Sequence, residues 1–216
     1  MKYVKILGLL VVAAAALMSL AASAGATTLT SPTGTPYTGE LVATSEGHVV
    51  LKNTGAGITI ECSSQAKGNI ESHGTGLTAS GKLTSLLWGE KEGVYEGKCT
   101  NGWHVTTVAL GELEVHWSAE HEGTVTAKNA TVSATKFGLV CNYAGNNLHI
   151  GTLTDSHATG STANGMTKTE TPSTATLHIK ASIPPHSGSS FLCGESNSEW
   201  VGSYKVTTPD LLFIDK

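Results

Sequence analysis

Two five-residue segments each have apolar side chains at the first and third positions and end on a cysteine. The first is Ile-Thr-Ile-Glu-Cys, ending at Cys62, and the second is Phe-Gly-Leu-Val-Cys, ending at Cys141. In an extended chain, the first, third and fifth residues of such a segment share one face, so each segment predicts a half-buried strand that carries its cysteine into the core. One further cysteine follows each strand, Cys99 after the first and Cys193 after the second. This pattern predicts a β protein with a candidate disulfide partner for each strand.

The start of the chain predicts a cleaved signal peptide over residues 1–26. Two lysines are followed by an almost wholly apolar stretch from 6 to 20, and then by small residues that offer cleavage after Ala24 or Ala26. No later stretch is apolar for long enough to cross a bilayer, so no transmembrane anchor is expected in the mature chain. We therefore expect a secreted protein, extracellular or at the cell surface.

The charged residues argue against nucleic acid as a partner. Every one of the 13 basic residues is lysine, and there is no arginine. Removal of the leader with its two lysines leaves 11 lysines against 17 acidic residues, a net charge of −6. Arginine is the usual ligand for phosphates and guanine edges, and an acidic surface repels a polyanion.

Four cysteines in an exported chain are expected to form two disulfides, for which three connectivities exist. We favour Cys62 with Cys99 and Cys141 with Cys193, because each pair closes within its own half of the chain. Such bridges would each stabilise the fold by about 4 kcal/mol. The wide spacing of the cysteines lacks the close pairs of zinc sites, and no cofactor is expected.

The remaining sequence predicts an antiparallel β-sandwich. Residues 27–36, rich in Thr, Ser, Pro and Gly, are expected to be a flexible lead-in, and 37–216 an all-β domain of many short strands separated by turns. Trp103 and Trp200 each follow a cysteine and each precede a Val-Thr-Thr run, which suggests a degenerate internal repeat. The repeat would divide the domain into two similar lobes near 118–131.

The sequence matches known catalytic and metal-binding motifs only in part. Glu112 and Glu114 share a strand face, as in the Glu-x-Asp-x-x-Glu strand of laminarinase-like glycoside hydrolases, but Trp117 stands where the last glutamate should be. A solvated strand face is the favoured interpretation. The nine histidines include no HxH or HExxH pair, and His116 with His121 is the nearest approach, so no metal ligands are assigned.

The tryptophans offer the other candidate site. Exposed aromatic rings bind sugars in carbohydrate-binding modules, and Trp103 and Trp200 are the two tryptophans whose burial the pattern leaves open. Because aromatic residues are only 6% of the chain, packing in the core is the favoured role for both.

The whole chain resembles a group of small exported four-cysteine β-proteins of soil actinobacteria that have no assigned activity. The resemblance is carried by the leader MKYVKILGLLVVAAAALMSLAASA, the ITIEC strand, the four spread cysteines, the Thr/Gly-rich body and the closing run Trp-Val-Gly-Ser-Tyr-Lys-Val. It implies a secreted, disulfide-bridged β protein and contributes no site residues.

Three functions remain open from the sequence. The leading hypothesis is a non-enzymatic structural or adhesion component of the cell surface or extracellular matrix, with polysaccharide or other surface proteins as partners. The second is a carbohydrate-binding module that uses Trp103 or Trp200, and the third is a glycan-active hydrolase that uses Glu112 and Glu114.

Overall fold

The computed structural model describes residues 26–72, 77–157 and 173–216. Nearly all of the expected signal peptide lies outside the described residues. Within them the chain is almost entirely strand, with two short 3-10 helices, and the all-β prediction is confirmed. No helix in these ranges is long and apolar enough to cross a membrane.

The strands of the described residues are numbered here in chain order. They are β1 (Thr28–Thr30), β2 (Gly39–Ser45), β3 (Val49–Asn53), β4 (Ile58–Cys62), β5 (Ser64–Ser72), β6 (Thr78–Trp88), β7 (Glu90–Lys91), β8 (Val94–Tyr95), β9 (His104–Ala109), β10 (Glu112–Ala119), β11 (Glu122–Lys128), β12 (Ala130–Lys136), β13 (Leu139–Gly145), β14 (Leu148–Thr154), β15 (Thr176–Ile183), β16 (Ser198–Thr208) and β17 (Phe213–Asp215).

Eight of these strands form a closed antiparallel barrel, not the expected sandwich. Their order is β15-β14-β11-β10-β6-β5-β2-β16, and β16 pairs again with β15 to complete the circle. Closure supplies hydrogen-bond partners for backbone N–H and C=O groups that would otherwise lie unpaired at two sheet edges. The closed sheet encloses its own core and does not need a second sheet opposite it. The alternation of inward and outward side chains is the same in a sandwich and a barrel, and sequence parity therefore could not separate them.

The two expected lobes are also replaced by this barrel. β2, near the start of the domain, hydrogen-bonds with β16, near its end, and strands from both sides of 118–131 alternate around the wall. The region 118–131 itself contains the β10–β11 turn and the whole of β11, a central barrel strand. It is a wall element and not a linker between lobes.

A second layer covers one end of the barrel. The β3–β4 hairpin extends the sheet beyond β16, and β9, β12 and β13 form a separate three-stranded sheet. The indole N–H of Trp88 on β6 donates to Thr107 Oγ1 on β9 at 3.0 Å, which ties this sheet to the barrel wall. Both disulfides form in the favoured connectivity, Cys62 with Cys99 and Cys141 with Cys193.

The other end of the barrel is closed by the two ends of the described chain. β1 pairs with β17, and Leu29, Leu212 and Ile214 are almost completely buried there. The expected flexible lead-in is therefore wrong for its first residues. Thr27 is 1% exposed, its hydroxyl donates to the carbonyl of Leu77 at 2.6 Å, and it accepts the N–H of Trp117 at 2.8 Å. A Thr-Leu-Thr segment is too short to predict as a strand, and its pairing with the distant β17 could not be read from the local sequence.

If β1 is part of the core, replacing Leu29 with alanine should lower the free energy of unfolding by about 2–5 kcal/mol, because the change leaves a cavity at a fully buried site. Urea denaturation followed by tryptophan fluorescence measures the loss. Thr33→Ala, at an exposed turn residue of the same segment, serves as the control and should change stability by less than about 0.5 kcal/mol. Equal stability of both variants and the unsubstituted protein would instead support a flexible lead-in.

Candidate functional site

The barrel interior contains an apolar cavity of about 120 Å³. All eight barrel strands contribute to its lining, and Leu29 of β1 contributes from the closed end. Several inward positions carry very small side chains, including Ala43, Ala66 and Ala79. A closed sheet of eight strands has a width set by its backbone, so alanine at these positions leaves space that larger side chains would fill.

Glycines on β5 and β6 add to this shortage of side-chain volume. A Cβ on Gly68 would lie 2.7 Å from the carbonyl oxygen of Lys82, and a Cβ on Gly81 would lie 2.7 Å from that of Asn69. Both contacts are too close for any larger residue. This stretch of the wall is therefore fixed as a bare backbone surface beside the cavity.

A second apolar cavity of about 70 Å³ lies between the barrel and the covering layer. Cys62 of β4 and Val105 of β9 line it from the layer side. Five residues line both cavities: Leu86, Ala127, Ala130, Ile150 and Trp200. The two spaces are thus adjacent, and the half-buried Trp200 borders both of them.

The tryptophan positions oppose the carbohydrate-binding hypothesis. Trp103 is 6% exposed and packs in the core, and Trp200 lines the interior cavities. Neither ring forms an exposed platform on which a sugar could stack. Both tryptophans therefore have the packing role that the low aromatic content favours.

The glutamates of the hydrolase hypothesis lie on the outside of the barrel among lysines. Leu113 and Val115 line the interior cavity, whereas Glu112 is opposite Lys128 on β11 and Lys82 on β6. Glu114 forms an ion pair with the same Lys128. The Glu114–Lys128 ion pair stabilises the sheet surface, and a carboxylate paired with a lysine in this way does not suit the acid and nucleophile of a glycosidase.

The structure brings together a cluster that the sequence pattern did not reveal: His121, Asp155 and His157. His121 occupies the turn between β10 and β11 with φ of 67°, and Asp155 and His157 follow the end of β14. The pairing of Glu122 with Thr154 in neighbouring strands places the turn beside the end of β14. Candidate ligand atoms of the three side chains lie within 4.8 Å of one another.

Contacts within the cluster are short and specific. His157 Nδ1 lies 2.8 Å from both carboxylate oxygens of Asp155, and His121 Nδ1 lies 3.4 Å from Oδ2. The ring centroids of the two histidines are 3.7 Å apart, and Phe213 meets His157 edge-on at 4.8 Å. Two imidazoles and one carboxylate are a donor set that binds transition metals.

Sequence reasoning missed this cluster because His121 lies more than 30 residues before Asp155. The short Asp-Ser-His run after a strand was a partial signal, since it brings a carboxylate and an imidazole to one sheet end. The missing step was the pairing of β11 with β14, which only the barrel order supplies.

No family model, no curated protein and no solved structure matches this chain. The resemblance to the four-cysteine β-proteins of soil actinobacteria stays a prediction.

Tyr204 lines the interior cavity and is 3% exposed, and its burial raises the pKa of the phenol above its usual range. In the unfolded chain the phenol ionises near pH 10, whereas in the folded barrel it stays neutral, so the free energy of unfolding should fall as pH rises above about 10. A single such group lowers it by up to about 1.4 kcal/mol per pH unit. Urea midpoints between pH 8 and 11.5 should decline less steeply in Tyr204→Phe, and identical slopes would contradict the effect of burial.

Proposed function

We propose that this protein is an exported, non-enzymatic β-barrel protein that binds a small apolar molecule inside the barrel. The observation that carries the proposal is the apolar cavity of about 120 Å³ with lining from all eight strands. Cavities in close-packed proteins are usually small, because each void loses dispersion contacts and destabilises the fold. A barrel that maintains this volume through alanines and glycines is better explained by an occupant than by packing alone.

The size of the cavity limits the ligand. An engineered apolar cavity of roughly 150 Å³ stays dry and binds benzene, whereas drug-sized ligands need roughly 300 Å³ or more. A volume of about 120 Å³ therefore suits one small ring or a short branched hydrocarbon. A ligand that displaced the Trp200 side chain would also gain the adjoining space of about 70 Å³.

The chemistry of the lining supports an apolar ligand over a sugar or a charged metabolite. Leu41, Ile70, Leu113 and Ile179 are among the lining side chains, and none of them offers a hydrogen bond. A polar ligand would lose its hydration in this space without compensation, at a cost of several kcal/mol. An apolar ligand gains free energy by the same transfer from water.

Extracellular location belongs to the same proposal. The leader of the sequence and the two disulfides support it. Stable cross-links suit a carrier that works outside the reducing cytosol.

The proposed ligand site is tested by filling it. Ala79, 1% exposed on β6, lines the larger cavity, and Ala79→Leu should reduce benzene affinity more than tenfold by occupying the same space. Isothermal titration calorimetry with benzene, on protein freed of apolar material, measures the affinity. Ala119→Leu adds the same side chain at an exposed position of β10 and should bind benzene like the unsubstituted protein.

Stability separates a real cavity from a close-packed interior. If the space is present, Ala79→Leu should leave the free energy of unfolding unchanged or raise it, whereas overpacking would lower it by about 1–3 kcal/mol. Absence of benzene binding to the unsubstituted protein, or equal binding by Ala79→Leu, would contradict the proposal.

A second candidate function, adhesion at the cell surface, is favoured by a group of exposed aromatic residues. Phe137, 98% exposed at the β12–β13 turn, and Phe191, 87% exposed in the 3-10 helix Phe191–Cys193, belong to segments joined by the Cys141–Cys193 bridge. Ser190 N–H also donates to the carbonyl of Val140 at 2.7 Å, which holds the helix beside β13. Exposed apolar residues on a rigid support are typical of contact surfaces.

Replacing Phe137 and Phe191 together with serine should move the protein from the cell-associated fraction to the medium. Its melting temperature should change by no more than about 2–4 °C, because both side chains are exposed. Quantitative blotting of the two fractions measures the shift. Val94→Ser, at another exposed apolar residue, is the control. If the double variant has an unchanged distribution, these two residues do not mediate adhesion.

A further inference from the structure

Asp155 is a buried carboxylate with no permanent cation beside it. Its side chain is fully buried, and no lysine in the described residues lies within ion-pair distance of it. Burial of an ionised carboxylate is costly unless hydrogen bonds and an opposite charge compensate for it. The N–H of His157 at 2.9 Å and the N–H of Ile214 at 3.2 Å supply hydrogen bonds, but neither supplies a full positive charge.

Within the described ranges, imidazoles are the only side-chain groups within hydrogen-bond or ion-pair distance of this carboxylate. His157 Nδ1 lies 2.8 Å from each oxygen, and His121 Nδ1 lies 3.4 Å from Oδ2. Donor atoms bound to one tetrahedral ion at 2.0–2.1 Å are separated by about 3.3 Å. The separations between the carboxylate and the two imidazoles lie near this value, and all three candidate donors lie within 4.8 Å of one another. Side-chain rotations within the cluster would therefore bring the donors to bonding distance from one ion.

A second observation also indicates a missing partner. His121 Nε2 is buried and has no hydrogen-bond partner, and its nearest carboxylate oxygen, Glu120 Oε1, is 3.7 Å away. Buried polar atoms of side chains are normally satisfied, and exceptions concentrate at functional sites or ion sites. Rotation of Glu120, which is largely exposed, would let its carboxylate accept a hydrogen bond from Nε2–H while Nδ1 faces the ion, as carboxylates do for metal-ligating histidines.

We propose that His121, Asp155 and His157 form a binding site for a divalent transition-metal ion of the zinc class. Two imidazole nitrogens and one carboxylate oxygen favour this class over calcium and magnesium, which take oxygen ligands. The ion supplies the positive charge that the Asp155 carboxylate lacks. It also links the β10–β11 turn to the end of β14 and, through the Ile214 N–H bond, to β17. The site is independent of the interior cavity, and its failure would leave the proposed ligand function untouched.

The experiment uses the exported full-length protein after treatment with a chelator. Calorimetric titration with ZnCl₂ should show one site per chain, and CaCl₂ and MgCl₂ should show none. Zinc at 100 times its dissociation constant should raise the melting temperature by about 5–10 °C, because the ion binds the folded state alone.

Matched variants distinguish metal binding at this site from nonspecific metal binding to surface histidines. His121→Asn suits a position with positive φ, and His157→Gln removes the second imidazole. Each should lose zinc affinity by more than about 100-fold, since even the loss of an outer partner of a metal ligand costs 10–100-fold. His178→Gln, on a strand face where the ring contacts Ser203 at 3.1 Å, should bind zinc normally.

The outcomes are decisive in both directions. One-site zinc binding that the two cluster variants lose and His178→Gln retains would support the proposal. Absence of stoichiometric binding, or equal affinity in His121→Asn and the unsubstituted protein, would overturn it. If His157→Gln fails to fold, His121→Asn alone decides, because it lies in a turn and leaves the Asp155–His157 contact in place.

Discussion

The pairing of β15 with β16 determines the rest of this structure. Eight consecutive residue pairs, from Thr176 with Lys205 to Ile183 with Ser198, join the last two long strands and close the barrel. Without that ladder, β15 and β16 would expose unpaired edges, and the inward side chains would face no opposite wall. With it, the diameter is fixed by strand number and tilt, and side chains must fill whatever volume remains.

The fixed diameter of the barrel explains how the amino-acid composition affects the core. A chain with few aromatic residues and many alanines, glycines and threonines supplies little volume for an interior of fixed width. The shortage is concentrated in the barrel, where Ala43 and Ala79 face the cavity, whereas Leu29, Leu212 and Ile214 close its end tightly. The empty volume is therefore concentrated where small residues face the barrel interior, and it is not spread through a loosely packed core.

Local patterns predicted what depends on neighbouring residues. The solvated face predicted for Glu112 and Glu114 is the outer face of β10, and the favoured pairing of the cysteines is the one that both bridges have. One local prediction was wrong, because Phe137 lies in the β12–β13 turn and is 98% exposed instead of lying on the buried strand face. The other failures depend on pairings between distant segments. β2 and β16 are more than 150 residues apart, β1 pairs with β17 at the opposite end of the chain, and His121 meets Asp155 through the β11–β14 ladder. Each of these contacts has a loop-closure cost that no local pattern reveals.

The two ends of the barrel are held in different ways, and this difference bears on the His–Asp–His cluster. Cys62 and Cys141 belong to the layer that covers one end, so that end is cross-linked covalently. The end closed by β1 and β17 has no disulfide in the described residues and relies on hydrogen bonds, including Ser156 Oγ accepting from Leu212 N–H at 2.9 Å and Asp155 accepting from Ile214. A metal ion bound through Asp155 would strengthen this set of contacts, since the carboxylate already holds the terminal strand. The proposed ion therefore has a structural consequence where the fold is least cross-linked.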